Sequence, residues 1–163
     1  MTVFRPVRRQ DRLLDAASTE QLLKEGEYGF LALCSPNGYG YGVPISFVYA
    51  PQRQCIYFHC APEGHKLDAL RANDRVSFCV VGQTEVHPYT TAYESAHLFG
   101  RLAVVEDTEE RWEALLALRA KYNPELADAP DTPIRKSWDR TTVLRLRIEH
   151  LSGKCKRIPP TAR

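Results

Sequence analysis

Between residues 29 and 61 three strand-length segments follow one another, and the turns between them are too short to hold a crossover helix. Gly29–Cys34 is apolar, Ser35-Pro36-Asn37-Gly38 supplies turn residues, a second run covers residues 39–49, and residues 51–54 turn the chain into a third at 55–61. Parallel neighbours need a crossover of a dozen or more residues, so this order predicts antiparallel pairing. Strand side chains alternate, which puts Val43, Ile45, Phe47 and Tyr49 on one face of the second run and Pro44, Ser46 and Val48 on the other. On the third run Tyr57, His59 and Ala61 oppose Ile56, Phe58 and Cys60.

Helix signals flank these strands. Ser18 followed by Gln21 has the form of a capping box, Leu22 and Leu23 give an apolar face, and Gly26 can end a short helix before the sheet. Asp107 and Glu110 can cap a later helix that buries Trp112, Leu115 and Leu116 and stops before Pro124. Further strands are expected at 75–81, at 93–105 with Gly100 as a bend or bulge, and at 142–151, where Leu144, Leu146 and Ile148 oppose Val143, Arg145 and Arg147. Residues 82–91, which contain Pro88, and the Pro- and Asp-rich stretch 123–133 are expected to be loops. Six strands with few crossover helices predict a mainly β (α+β) fold, an antiparallel barrel carrying peripheral helices. One domain is expected over residues 1–163, with an arm and helix at 1–27 and a C-terminal tail at 152–163.

The helix expected after Gly64 opens on His65 and Lys66, and cations are out of place there. The first turn already carries partial positive charge from its unpaired N–H groups, so basic side chains suit it best when an anion sits among them. A phosphate cradle is one reading; the other is that both side chains point into water, at a cost of about 0.3–1 kcal/mol. Elsewhere charge is mixed, 22 Lys and Arg against 20 Asp and Glu without long runs, which argues against a nucleic-acid surface. Arg145, Arg147, Lys154, Lys156 and Arg157 make a basic C-terminal region without a nucleic-acid-binding motif, expected to be a solvated or dimer-contact face. No stretch has the length of a membrane span and the N-terminal segment lacks a signal-peptide core, so a soluble cytoplasmic protein is expected, with no membrane partner. Five cysteines, four of them in apolar runs, suit buried thiols rather than a disulfide framework. Cys55, His59, Cys60 and His65 could ligate zinc, but alternation sends Cys60 away from His59 and no Cys-x-x-Cys set exists, so no metal site is expected.

The element order, the segment GVPISFVYAPQRQCIYFHCAPEGHKLDALRANDRVSFCVVG and the closing RLRIEHLSGK resemble the pyridoxamine 5'-phosphate oxidase-like FMN-binding split barrels, and among them the nitroimidazole-resistance (Nim-type) branch. The resemblance implies a six-stranded split barrel that binds FMN, or FAD, at a homodimer interface. It implies that His65 and Lys66 hold the phosphate, that Val43, Pro44, Ile45, Ser46 and Phe47 lie beside the flavin ring, and that Phe58 and His59 match the pair before the turn. It places His59 near the ring, where it can polarise or protonate a small-molecule electron acceptor. It also puts Tyr93, from the partner subunit, and Ser95 near the cofactor. The oxidases of this superfamily usually carry Arg at the place of His65, a basic residue near Val43, and Gln where this chain has Glu94 and Ser95; Arg71 or Arg75 are then further candidates for the phosphate. A C-terminal Arg- and His-bearing segment for pyridoxamine phosphate is missing, so the implied activity is reduction of electron-poor acceptors such as nitroaromatics with NAD(P)H. The alternatives are a non-enzymatic flavin- or haem-binding protein on the same barrel, with His59, His87, His97 or His150 as potential haem ligands, and a cofactor-free interaction module.

Overall fold

The computed structural model describes residues 4–126 and 128–158. A 3₁₀ turn (Gln10–Arg12) and the two-residue strand β1 (Leu13–Leu14) lead into helix α1 (Ala16–Glu25). This helix begins earlier than the sequence suggests: Asp15, not Ser18, is its cap, and its carboxylate accepts the Ser18 N–H at 2.8 Å. A carboxylate there satisfies an open donor and also meets the positive end of the helix dipole, which a hydroxyl does only weakly. Strands β2 (Gly29–Cys34) and β3 (Gly40–Ile45) form the first hairpin, and after Ser46 and Phe47 the chain resumes as β4 (Val48–Ala50). Then come β5 (Cys55–Cys60), α2 (His65–Ala72), β6 (Arg75–His87), β7 (Thr90–Val104), α3 (Thr108–Tyr122), α4 (Thr132–Ser137) and β8 (Thr142–Lys156).

All strand pairs are antiparallel, in the order β3-β2-β6-β7-β8-β5-β4 with β1 joined to β8. β3 and β4 are consecutive in the chain yet stand at opposite edges. Residues 40–50 are therefore one bent strand, bonded to β2 in its first half and to β5 in its second, and this bend curls the sheet into a split barrel. The single strand expected at 39–49 is interrupted where the partner changes, and with β1 added the count among the described residues becomes eight rather than six. The loop expected at 82–91 is also absent. β6 and β7 run on as one long hairpin whose tip holds Pro88, where no ladder donor is needed, and Tyr89 at φ 61°. A register shift between Val81 and Thr84 absorbs Gly82 and Gln83.

Residues 152–156 of the expected tail continue β8 as far as the Tyr93–Lys156 pair; residues 1–3 of the arm and 159–163 of the tail lie outside the described residues. The stretch 123–133 holds a 3₁₀ turn (Pro124–Leu126) and the start of α4, with residue 127 outside the described residues. Gly100 marks a bulge, as expected: the register shifts at Phe99 and Gly100, and a Cβ there would collide with the Arg147 carbonyl oxygen.

The alternation foreseen from the sequence sorts the core into two. Inside the barrel lie Leu31, Phe47, Ile56, Phe58, Phe78 and Leu144, where each large side chain withdrawn from water contributes about 1.5–3 kcal/mol. Under α3, on the outer face, lie Cys55, Tyr57, Val105, Ala114 and Val143. α3 turns Ala114 and Leu118 most deeply inward, whereas Trp112, expected at its buried face, is half-buried beneath the Arg135 guanidinium. Arg145 is not a free surface cation. It donates to Glu110 at 2.9 Å, and the Tyr57 hydroxyl donates to the same carboxylate at 2.5 Å, fastening α3 to β5 and β8. Burial alone would raise the Glu110 pKa, but these donors outweigh it and hold the carboxyl below its ordinary range.

Candidate functional site

The site builds from the end of β5. After Cys60 the turn through Gly64 takes φ 120°, a value that suits only glycine, and α2 begins with no side-chain cap. Both Leu67 and Asp68 donate their N–H to the Gly64 carbonyl, at 2.9 and 3.2 Å, which leaves the N–H groups of His65 and Lys66 without intrahelical partners. A Cβ placed on Gly64 would touch nothing within 4 Å, so this end of the helix faces open space. Leu67 and Ala69 sink into the barrel core and fix the helix axis.

The two side chains of that turn go separate ways. The His65 ring stacks on Tyr41 at 4.2 Å, 11° from parallel, and its Nε2 shares a hydrogen bond with the Ser35 hydroxyl at 2.6 Å. His65 is thereby tied to the β2–β3 hairpin. Lys66 is half-buried, forms no ion pair among the described residues, and stands close enough to His59 and Cys60 for its charge to act on both. Arg71, the alternative phosphate ligand, is engaged by Asp68 at 2.8 Å.

His59 projects from β5 on the face opposite the barrel core, into a cleft of about 630 Å³ between the sheet and the α3–α4 segment. Ser46 and Thr141 stand beside it, and Leu118, Tyr122 and Ile134 supply the facing wall. Partial desolvation of the imidazole, assisted by the Lys66 charge, pushes its pKa below the ordinary value and favours the neutral ring. At the end of β3, Val43 and Ile45 pack against the core while Pro44 and, just beyond the strand, Ser46 are exposed. Phe47 and Phe58 are wholly buried, edge-on to Phe78 at 5.0 and 5.1 Å, so only their backbone can face a ligand.

Tyr93 and Ser95 lie elsewhere. Tyr93 pairs with Lys156 and His59 with Val143 on the same strand β8, which puts them roughly 40 Å apart along it at ~3.3 Å per residue. One chain does not bring these residues together. Ser95 pairs with Val81 on the outer face of the sheet, where Tyr28, Phe30, Val81 and Phe99 remain 37–50 % exposed. Among the described residues no three His, Cys, Asp or Glu side chains converge on a point where a metal could bind, and the five cysteines are free thiols.

Tyr122 was not anticipated from the sequence. Its hydroxyl accepts the Phe47 N–H at 2.8 Å and lies 2.6 Å from the Glu27 carbonyl and 3.0 Å from that of Phe47, so it completes the backbone where β3 gives way to β4, at the edge of the His59 cleft. Lys121 beside it places its ammonium 3.7 Å from the centre of the Phe47 ring with no hydrogen-bond partner. The signal for both was their spacing of three and four from Leu118, which continues the inward stripe of α3.

An antiparallel split barrel with an open glycine turn leading into a helix, next to a half-apolar cleft, is the frame on which the candidate site stands. The sequence profile of the pyridoxamine 5'-phosphate oxidase family matches residues 15–155, and the chain belongs to that family. No protein of curated function matches it in sequence. Among solved structures, a protein of Bacteroides thetaiotaomicron provisionally assigned to 5-nitroimidazole antibiotic resistance is similar at 24% identity, over 88% of this chain and 86% of that one, with a TM-score of 0.74. An FAD-binding protein of Mesorhizobium loti is similar at 25% identity, over 90% and 98% of the two chains, with a TM-score of 0.64. An FAD- and haem-binding protein of Mycobacterium smegmatis shares the fold at 23% identity, over 91% and 75%, with a TM-score of 0.77.

Proposed function

We propose that this protein is a flavin-dependent oxidoreductase that binds FMN, with FAD as the alternative flavin, at the interface of a homodimer and reduces small electron-poor acceptors, nitroaromatics among them, with NAD(P)H. The observation that carries the reading is the meeting of the uncapped start of α2, the unpaired Lys66 and the His59 cleft at one end of the barrel. These residues fit a flavin phosphate: open N–H donors, a free ammonium and unfilled space over Gly64 are what a dianion needs. In this reading Lys66 and the first turn of α2 hold the phosphate, and His65 positions that turn through Tyr41 and Ser35 while its own backbone N–H faces the anion. The exposed edge at Pro44 and Ser46 lies along the ring, Val43, Ile45, Phe47 and Phe58 shape that edge from the core side, and Tyr93 and Ser95 come from a second copy.

Bound flavin supplies the electron transfer, so the chain needs no nucleophile. Its own residues bind, orient and exclude water. The leucine and isoleucine wall of the cleft suits a flat apolar acceptor, and the His59 imidazole can donate a proton or a hydrogen bond to an acceptor oxygen from the cleft floor. The Nim-type resemblance and the FAD-binding relative support a flavin here.

The test is the visible spectrum of freshly purified protein, followed by NAD(P)H consumption with a panel of nitro compounds. Flavin absorption, its weakening in Lys66→Ala and acceptor-dependent turnover are expected. A haem spectrum, or a colourless chain that takes up no added FMN or FAD, would displace the reading.

A further inference from the structure

We propose that residues 129–141, the segment that carries α4, form the acceptor-selecting roof of the His59 cleft, with Ile134 as its specificity-determining residue and Arg119 with Asp131 as the pair that positions it. The acceptor class is flat and uncharged. The chemistry rests on the reductase reading; the fit of the ligand does not.

α4 (Thr132–Ser137) is too short to carry a broad apolar face, and it turns only Ile134 and, three residues on, Ser137 inward. Ile134 packs into neither hydrophobic core among the described residues. It lines the cleft instead, beside Pro130 and Pro133 and across from Leu115 and Leu118 of α3. An apolar side chain that faces a cavity still has burial to gain, and an apolar ligand supplies it.

What holds the roof is polar. Arg119 of α3 donates to Asp131 at 2.8 Å and reaches the Ala129 carbonyl at 3.5 Å. At the other end Arg111 donates to the carbonyls of Trp138 and Thr141, with its guanidinium 3.9 Å from the centre of the Trp138 ring. Two arginines of α3, rather than a core, therefore set where Ile134 stands over the sheet. The Ser137 and Thr141 hydroxyls, which also line the cleft, donate to the Ile134 and Ser137 carbonyls at 3.1 and 2.8 Å, so their protons are spent on backbone. Arg119 is the one formally charged side chain in the described lining, and Asp131 pairs with it. No carboxylate lines the cleft among the described residues, so a cationic ligand would lose its water without gaining a counter-charge.

The probes are para-nitrobenzyl alcohol, its cationic analogue para-nitrobenzylammonium, and the broader nitronaphthalene, titrated into the full chain as purified. Trp112 and Trp138, the two tryptophans of the chain, line a hollow beside the roof, and Trp138 follows the cleft residue Ser137, so their emission reports a bound nitroarene. Saturable quenching by the alcohol is expected, with the ammonium compound weaker by about tenfold or more. Ile134→Ala removes a side chain that neither core uses, so the melting midpoint should hold. It is expected to weaken the alcohol by about tenfold while nitronaphthalene binds as well as before or better, and Ile134→Phe should reject nitronaphthalene. Arg119→Gln and Asp131→Asn are each expected to raise the KM for the alcohol with kcat unchanged, and the double variant no further, because the two side chains make one tie. A chain that binds with this discrimination but turns nothing over keeps the roof as a ligand selector and removes only the reductase reading. The proposal is overturned by quenching that does not saturate, by an ammonium compound that binds as tightly as the alcohol, or by Ile134 variants that keep the wild-type discrimination, which would put the ligand elsewhere, as in the hollow beside Trp112 and Trp138.

Discussion

His59 and Lys121 show how one side chain's surroundings set its chemistry. His59 has its pKa pushed down by partial desolvation and by Lys66, so the ring is neutral at pH 7 and becomes imidazolium only at pH values below about 6.5. A proton donor of that kind should make acceptor reduction rise as pH falls through a limb below 6.5. His59→Gln is expected to slow turnover and erase that limb while flavin stays bound; an unaltered pH profile in the variant would leave His59 a bystander. Lys121 is the opposite case, a charge with nothing to do. Burial lowers its pKa to about 8 from an ordinary 10.5, and only the Phe47 and Tyr122 rings, 3.7 and 5.4 Å away, face it among the described residues. Below pH 8 the ammonium is charged in both folded and unfolded chains and the desolvation penalty weighs in full. Between 8 and 10.5 the unfolded chain binds more protons, so stability rises with pH, and above both values the penalty is gone. Lys121→Met keeps the packing without the charge. It is expected to raise the melting midpoint by about 2–4 °C near neutral pH, for a net gain of about 1 kcal/mol, and the gain should shrink as pH approaches 10.5.

At the scale of elements, the bent strand at residues 40–50 depends on a residue 75 positions later. The change from β2 to β5 as hydrogen-bonding partner leaves the Phe47 N–H and carbonyl without a ladder, and the Tyr122 hydroxyl serves them. Tyr122→Phe removes that hydroxyl and strands a part-buried N–H. A loss of about 1–3 kcal/mol is expected in denaturant melts, the cost of an unsatisfied donor, and a change inside measurement error would mean water replaces the phenol. The same feature shows where the sequence was legible. Period-two alternation correctly separated Phe47, Ile56 and Phe58 from Val48, Tyr57 and Val143, because alternation is a local property that holds even across the bend. The break itself was not visible, since it comes from a change of partner far away. A stretch that contains Pro88 reads as a loop at 82–91, yet a two-residue tip accommodates the proline as well, and the ladder on either side decides. At the site, the open turn at Gly64 and the cleft-facing His59 follow from local pattern. The diversion of His65 onto Tyr41 and Ser35, and the placing of Tyr93 at the far end of β8 from His59, are tertiary facts that no spacing along the chain encodes.

For the whole molecule, that separation bears on oligomeric state. If Tyr93 and Ser95 complete a site begun by Lys66 and His59, they must arrive from another copy, and the surface beside them has the character of an interface. Phe30 pairs with Cys79 and Cys79 with His97, so these residues form one continuous stripe on the outer face, with Phe99 and Val81 along its length. Phe30 is 44 % exposed and Phe99 37 %, and the described N-terminal arm covers only the Phe99 end, through Phe4 at 5.5 Å. Contiguous apolar surface of this kind is where a second copy of the chain would pack in the proposed dimer. Phe30→Glu would place a charge in that contact without touching the barrel core or the His59 cleft. The wild-type chain is expected to sediment at twice its 18.6 kDa mass and the variant at the monomer mass, with native circular dichroism and flavin lost in proportion to dissociation. A wild-type monomer that retains flavin would show that one chain suffices, and the roles of Tyr93 and Ser95 at the cofactor would fall with the dimer.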